Sequence, residues 1–230
     1  MSKHPEKPGI TELRRIIAGS ALALGLATGS AMAAPVLQIK SQAGQTLLGF
    51  DNGFLQALTA AGIEVDAIKP GKAKSKGRGI SLPVTGGIVD LDGFVGQINH
   101  SGGIRLTAFG GDKVRLHNLS IVLFDGQPLI YGAVQLNGDL LGVRPLFVIS
   151  LDENSDIYVQ RNGKLITENL LLSLTQEASD LLNTELAFFQ APGEDIAGAD
   201  GRAKLRNYKP DDDSEDSEEL QELEESSCIE

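Results

Sequence analysis

The residues with the greatest potential for chemistry in this chain are its few histidines. Of the three, His4 lies in the N-terminal segment, which leaves His100 and His117 for the folded body. A Ser-His-Asp hydrolase needs a histidine beside a serine and an acid. Ser101 follows His100 directly, but neighbours on a strand point to opposite faces. The sequence also has no Gly-x-Ser-x-Gly elbow. We therefore expect no enzyme, with a hydrolase of unrecognised site as an alternative.

Two acidic residues, Asp90 and Asp92, alternate within VDLDG and would share one face of a strand. A glycosidase uses two carboxyl groups across a cleft built for sugar. The chain has no Trp and only three Tyr to stack on sugar rings. We interpret this pair as part of a solvent-facing surface.

Metal chemistry has one candidate sequence, the D-x-N-x-D run of Asp152, Asn154 and Asp156. Three oxygen side chains at this spacing match the opening of a calcium loop. The pattern then ends, because Ile157 stands where the loop needs Gly and Gly163 where it needs Glu. A polar hairpin loop is the alternative. A zinc set of Cys and His cannot be assembled from two histidines and one cysteine in the tail.

The N-terminal segment has the organisation of a secretory signal peptide. Arg14 and Arg15 precede a run of small and apolar residues, 16–28, and Ala31-Met32-Ala33 supplies the small residues of a cleavage site. We predict a signal peptide at 1–33, cleavage after Ala33, and a secreted or periplasmic protein. A retained membrane anchor is the alternative, since 16–33 is at the short end for a bilayer span. No later segment approaches that length.

Charge divides the rest of the chain into a nearly neutral body and an acidic tail. Residues 34–210 hold 16 basic and 18 acidic residues, whereas 211–230 hold 11 acidic and no basic ones. A nucleic-acid interface needs a basic surface, so we expect no nucleic-acid partner. We predict that 209–230 is disordered. Cys228, the single cysteine, lies there as a free thiol or a disulfide link to another protein.

The body, 34–208, has the pattern of one mostly β domain. Strand-length apolar or alternating runs are separated by Gly pairs and by Asp-Gly or Asn-Gly turns. This predicts an antiparallel sandwich or barrel. Two short helices are predicted, 53–61 capped by Asp51 or Asn52, and 176–186 capped by Thr175. The basic run 69–78 is predicted to be a loop, with contact to anionic surfaces or to the acidic tail as an alternative role.

The alternation of apolar residues changes phase between 112 and 124. Val114 and Leu116 share one face, whereas Leu119, Ile121 and Leu123 continue in the opposite phase. Because a slip of one residue exchanges the two faces of a strand, we predict a bulge near His117 and Asn118.

The stretch 94–134, which reads FVGQINHSGGIRLTAFGGDKVRLHNLSIVLFDGQPLIYGAV, resembles the centre of HtaA-type secreted or surface β domains of bacteria, some of which bind haem. It is also similar to uncharacterised bacterial secreted proteins with the same HSGG element. The resemblance implies haem as a cofactor, a Tyr iron ligand from an upstream segment and a His near the pocket, which His100 matches. The three tyrosines of this chain all follow His100. We take His100, Tyr131 and His117 as candidate ligand-binding residues.

Three functions follow from these observations. We favour a non-enzymatic binding or structural module that contacts a protein or envelope component. The second is a small-ligand binder near His100, with haem as one ligand, and the third is the hydrolase. An apolar-lined pocket beside His100 would favour the second, and a Ser or Asp pair converging on either histidine would favour the third.

Overall fold

The computed structural model describes residues 36–74, 78–90, 95–124, 127–206 and 208. The predicted signal peptide and the predicted acidic tail with Cys228 lie outside these residues. The described part contains twelve strands and two helices. The strands are β1 (Leu37–Phe50), β2 (Ile63–Ile68), β3 (Lys72–Lys74), β4 (Gly79–Asp90), β5 (Val95–His100), β6 (Gly103–Ala108), β7 (Lys113–Leu123), β8 (Leu129–Leu136), β9 (Asp139–Ser150), β10 (Asp156–Val159), β11 (Lys164–Leu174) and β12 (Asp195–Arg206). The helices are α1 (Asn52–Ala60) and α2 (Gln176–Leu186).

Eight strands close into an antiparallel barrel, which decides between the two predicted architectures. The pairing runs from β7 through β5, β4, β1, β12, β11 and β9 to β8, and β8 pairs with β7 to complete the ring. Closure leaves no edge between these strands and encloses one apolar interior. The buried hydrophobic side chains form a single cluster that continues from the barrel interior to the faces of the two helices.

Four strands lie outside the ring. β6 pairs with the first half of β7 and β2 pairs with β6, so these two strands extend the sheet away from the barrel. β3 pairs with β4, and β10 pairs with β11. The basic run 69–78 was predicted to be a loop, but its Lys72–Lys74 portion is β3, because its backbone pairs with Gly79–Ser81 of β4.

The predicted phase change in β7 is a bulge, as expected. The register with β8 shifts between His117 and Ser120, and Asn118 has a φ of 54°. Before the bulge β7 pairs with β6, and after it with β5. The bulge therefore lets one strand serve both the extended sheet and the barrel, and it keeps the apolar residues of both halves buried.

Both predicted helices are present within a residue of their predicted bounds. The carboxylate of Asp51 caps α1 by accepting from the backbone N–H of Gly53 and Phe54. The ring of Phe54 packs edge-on against Phe188 at 5.9 Å between centroids. In α2, the hydroxyl of Thr175 accepts from the N–H of Ala178, as predicted. Among the described residues, no helix has the length and hydropathy to cross a membrane.

Candidate functional site

The side chain of His100 ends β5 inside the barrel, where it is only 5% exposed. Its Nε2 lies 2.7 Å from Oγ1 of Thr46 on β1, and its Nδ1 lies 3.2 Å from the carbonyl oxygen of Leu119 on β7. Because a carbonyl oxygen can only accept, Nδ1 carries the proton and donates to Leu119. The Thr46 hydroxyl therefore donates to Nε2. Both ring nitrogens are thus engaged, and the imidazole ties three strands together.

Burial lowers the pKa of His100 from 6.5 to about 4, because the charged imidazolium would lose its hydration. The hydrogen bond to Leu119 acts in the opposite direction and is the smaller effect. His100 is therefore neutral near pH 7. Thr46 and His100 have the residue types of a nucleophile and its base, but Thr46 is only 6% exposed. A substrate in solution has no access to this pair.

Two glycines hold the turn that follows His100. Gly102 has a φ of 84°, and a Cβ there would lie 2.6 Å from both the amide nitrogen of Gly71 and the carbonyl oxygen of Ile68. A Cβ on Gly103 would overlap the carbonyl oxygen of Leu116. The HSGG sequence is therefore required by close backbone packing, which places His100 at its depth in the barrel.

The structure separates Tyr131 from His100. Tyr131 pairs with Ser120, whose hydroxyl donates to Asn99 on the outer face of the barrel. Tyr131 therefore lies on the opposite face of the sheet from His100. The Nε2 of His117 is buried, with no hydrogen-bond partner among the described residues. The three predicted ligand-binding residues thus form no common site in the described part of the chain, and their role in ligand binding stays a prediction.

The loop with Asp152, Asn154 and Asp156 is closed by its own hydrogen bonds. The carboxylate of Asp152 accepts from the backbone N–H of Asn154 at 2.9 Å and from the Ser155 hydroxyl at 3.0 Å. These two donors lower the pKa of Asp152, the Asn154 amide most strongly. Asp156 begins β10 opposite Glu168. Across the described ranges there is no group of three or more His, Cys, Asp or Glu side chains placed to hold a metal. The calcium interpretation stays a prediction, and Asp92 of the other acidic pair lies outside the described residues.

An apolar surface that was not predicted from the sequence lies on the outer face at one end of the barrel. Asp90 at the end of β4 pairs with Val95 at the start of β5. In the neighbouring row, Leu37 of β1 pairs with Val89, and Gly96 pairs with Leu123 of β7. Val36 and Phe124 therefore lie in the same row as Asp90 and Val95. Together with Ile88 in the next row, the apolar members form a surface that we call the apolar belt; its members, all exposed, are Val36, Ile88, Val95 and Phe124. Scattered single apolar residues are ordinary on a surface, whereas a contiguous set indicates an interaction site.

Inside the same end of the barrel is a small apolar cavity of about 30 Å³. Its lining exposes no polar atom, and it includes Val89, Ile98, Ile121, Leu123, Ile149 and Leu151. Ile98 lies two residues before His100 on the inward face of β5. Ile121 lies two residues after Leu119 on the inward face of β7. The cavity therefore lies one layer of side chains from His100. Leu151 both lines the cavity and is 51% exposed, which places it at the mouth of the cavity.

The belt and the cavity have a weak signal in the sequence. Val36, Ile88, Val95 and Phe124 are apolar at positions where alternation places a strand's outer face. Ile88 and Val95 lie within β4 and β5, whereas Val36 precedes β1 and Phe124 follows β7. Their contiguity arises only when the register of β1, β4, β5 and β7 is known.

Comparison with known proteins bears on the fold. No protein-family model and no curated protein matches this chain. Among solved structures, the C-terminal domain of HtaA from Corynebacterium glutamicum aligns with a TM-score of 0.55 and 17% identity, over 74% of this chain and 99% of that domain. The heme-binding protein HtaB from the same organism aligns with a TM-score of 0.49 and 12% identity, over 75% of this chain and 96% of HtaB.

The barrel is thus of the HtaA type, in agreement with the resemblance of the sequence around His100. At 17% identity, this similarity concerns the fold. A shared fold does not define a function, because one fold carries many different sites.

Proposed function

We propose that this chain is an exported, non-enzymatic binding domain that attaches to a component of the cell envelope through its apolar belt. The belt is the observation that carries the proposal. Val36, Val95 and Phe124 lie in one row on the outer face, with Asp90 between Val36 and Val95, and Phe124 is 70% exposed. Exposing such a row to water is unfavourable, and covering it with an apolar partner surface recovers that free energy.

Two further observations support this proposal. The signal peptide predicted at 1–33 would direct the chain out of the cytoplasm, and the belt begins three residues after the predicted cleavage site. The HtaA-type barrel provides a rigid frame, because closure fixes the relative positions of the belt strands. A partner therefore meets a preformed surface.

The proposal is tested by the double substitution Val95→Asp and Phe124→Asp in the full-length chain, expressed in a bacterium that exports it. We expect the wild-type protein to sediment with the envelope fraction and the variant to move to the soluble extracytoplasmic fraction. The matched control is Phe189→Asp, at an equally exposed phenylalanine outside the belt. Equal retention of the belt variant and the wild type would refute the proposal, provided that circular dichroism shows both to be folded.

Haem is the second candidate ligand, because the fold is that of an HtaA domain. The residues of this chain do not fit a haem iron at His100. The resemblance implies a tyrosine from an upstream segment, whereas the upstream residue that contacts His100 is Thr46. The Nε2 atom that would bind iron accepts the Thr46 hydrogen bond and is buried. The cavity nearby is also far smaller than the roughly 300 Å³ at which pockets for drug-sized ligands begin.

A haemin titration of residues 34–230, followed at the Soret band, tests this second candidate. We expect no saturable complex that depends on His100, so His100→Ala and the wild type should give the same weak response. Thr46→Ala, which frees Nε2, serves as a second variant. A one-to-one complex of the wild-type protein that is lost in His100→Ala would establish haem binding. It would contradict the conclusion that the residues around His100 do not fit a haem iron.

A further inference from the structure

We infer that the cavity at the belt end of the barrel takes the methyl end of an aliphatic chain, with the rest of the chain lying across Leu151. This inference rests on the proposed function and names the chemistry of the ligand. The cavity lining exposes no polar atom, so a polar group placed there would lose its hydration without gaining a hydrogen bond. The inserted part of a ligand must therefore be apolar.

The size of the cavity limits what enters it. A volume of about 30 Å³ is larger than the volume that one water-sized probe needs. It is too small to hold a ring system. An unbranched chain is narrow enough to enter end first. An aromatic or macrocyclic ligand would need the lining side chains to move, and these are packed in the core.

The mouth of the cavity defines where the rest of the chain lies. Leu151 is half exposed and follows β9 directly, so one side of it faces the cavity and the other faces solvent. Phe124 of the belt follows Leu123, which lines the cavity. An aliphatic chain that leaves the cavity therefore lies against the exposed side of Leu151.

The experiment uses residues 34–230 labelled at isoleucine methyl groups and titrated with decanoate, decyltrimethylammonium and 1-decanol. These probes share a chain and differ in the charge of the head group. We expect all three to shift the methyl signals of Ile98, Ile121, Ile149 and Ile157, which line the cavity, while Ile63 and Ile104 outside the barrel stay unchanged. Shortening decanoate to octanoate should weaken binding by about fourfold per methylene.

The matched variants are Leu151→Asp at the mouth and Leu140→Asp at an exposed leucine elsewhere. We expect Leu151→Asp to weaken binding at least tenfold and Leu140→Asp to bind as the wild type does. Unchanged lining methyl signals at saturating probe, binding of only one head group, or wild-type affinity in Leu151→Asp would each overturn the inference. Because envelope retention is measured separately through the belt, the inference and the proposed function can fail independently.

A second arm identifies the source of the chain. Sedimentation with phosphatidylcholine vesicles, together with the same methyl shifts, would support the site with bilayer lipid as its source. Methyl shifts with decanoate and no sedimentation would support it with free amphiphiles as the source. Sedimentation without any shift of the lining methyl signals would overturn it, because the bilayer would then contact another surface.

Discussion

At the scale of single residues, the neutral imidazole of His100 links the pH of the solution to the stability of the barrel. Its Nδ1 donates to the carbonyl of Leu119 and its Nε2 accepts from Thr46, so the folded protein binds no proton there until about pH 4. The unfolded chain takes up that proton near pH 6.5. As the pH falls from 6.5 towards 4, the unfolded state is therefore favoured.

We predict that this one group lowers the free energy of unfolding by up to about 3 kcal/mol between pH 6.5 and pH 4. Urea unfolding at pH 7, 6 and 5 measures the slope. His100→Gln, which cannot take up a proton, should flatten this slope. The same slope in His100→Gln and the wild type between pH 6.5 and 5, above the range where most carboxylates titrate, would contradict the prediction.

The second prediction at the residue scale concerns the stability of a variant at Gly103. Because a Cβ there would overlap the backbone of Leu116, Gly103→Ala should destabilise the protein by about 1–3 kcal/mol through overpacking. Gly110→Ala is the control, since its Cβ would come no closer than 4.0 Å to Asp112. Thermal unfolding of the two variants compares them, and equal midpoints would show that β6 and β7 can separate without loss.

At the scale of elements, the start of α2 is held by a side chain that lies only three residues before the N–H group that it caps. The Thr175 hydroxyl accepts from the N–H of Ala178 and donates to the carbonyl of Pro145 at 2.8 Å, so it joins the start of α2 to β9. A side chain in this position satisfies one of the free N–H groups of the first turn.

Thr175→Ala should therefore lower the free energy of unfolding by about 1 kcal/mol. Chemical denaturation followed by circular dichroism measures the difference. Thr184→Ala, at an exposed position of the same helix, should change stability by less than about 0.5 kcal/mol. A larger effect at Thr184 than at Thr175 would show that the cap contributes little.

At the scale of the whole molecule, charge is distributed unevenly along the sequence. Residues 34–210 have a net charge of −2, whereas 211–230 carries 11 acidic residues and no basic ones. Long-range electrostatic effects of this protein therefore originate mainly in the tail, and the belt presents its apolar contacts on a body of low net charge.

Export provides the prediction at this scale. Protein recovered from the extracytoplasmic fraction of an expressing bacterium should have the intact mass of residues 34–230. Ala33→Tyr, which places a large residue at the predicted cleavage site, should keep residues 1–33 attached. A mass that corresponds to all 230 residues in the wild type would favour the retained anchor.

The amino-acid sequence by itself determined the features that depend on near neighbours. It predicted a cap at Asp51 or Asn52 and a second cap at Thr175, a bulge near His117 and Asn118, the β-rich class and the resemblance to HtaA-type domains around His100. Caps, bulges and turns involve hydrogen bonds and φ values within a few residues, so composition and spacing reveal them.

Only the tertiary structure decided the rest. The choice of barrel over sandwich depends on the pairing of β7 with β8, and the partner of His100 is Thr46, 54 positions earlier in the chain. The belt combines side chains of β4 and β5 with the residues next to the ends of β1 and β7, and the cavity combines side chains from several strands of the ring. Register and closure are cooperative properties of the whole sheet, so no single strand carries the information that brings these residues together.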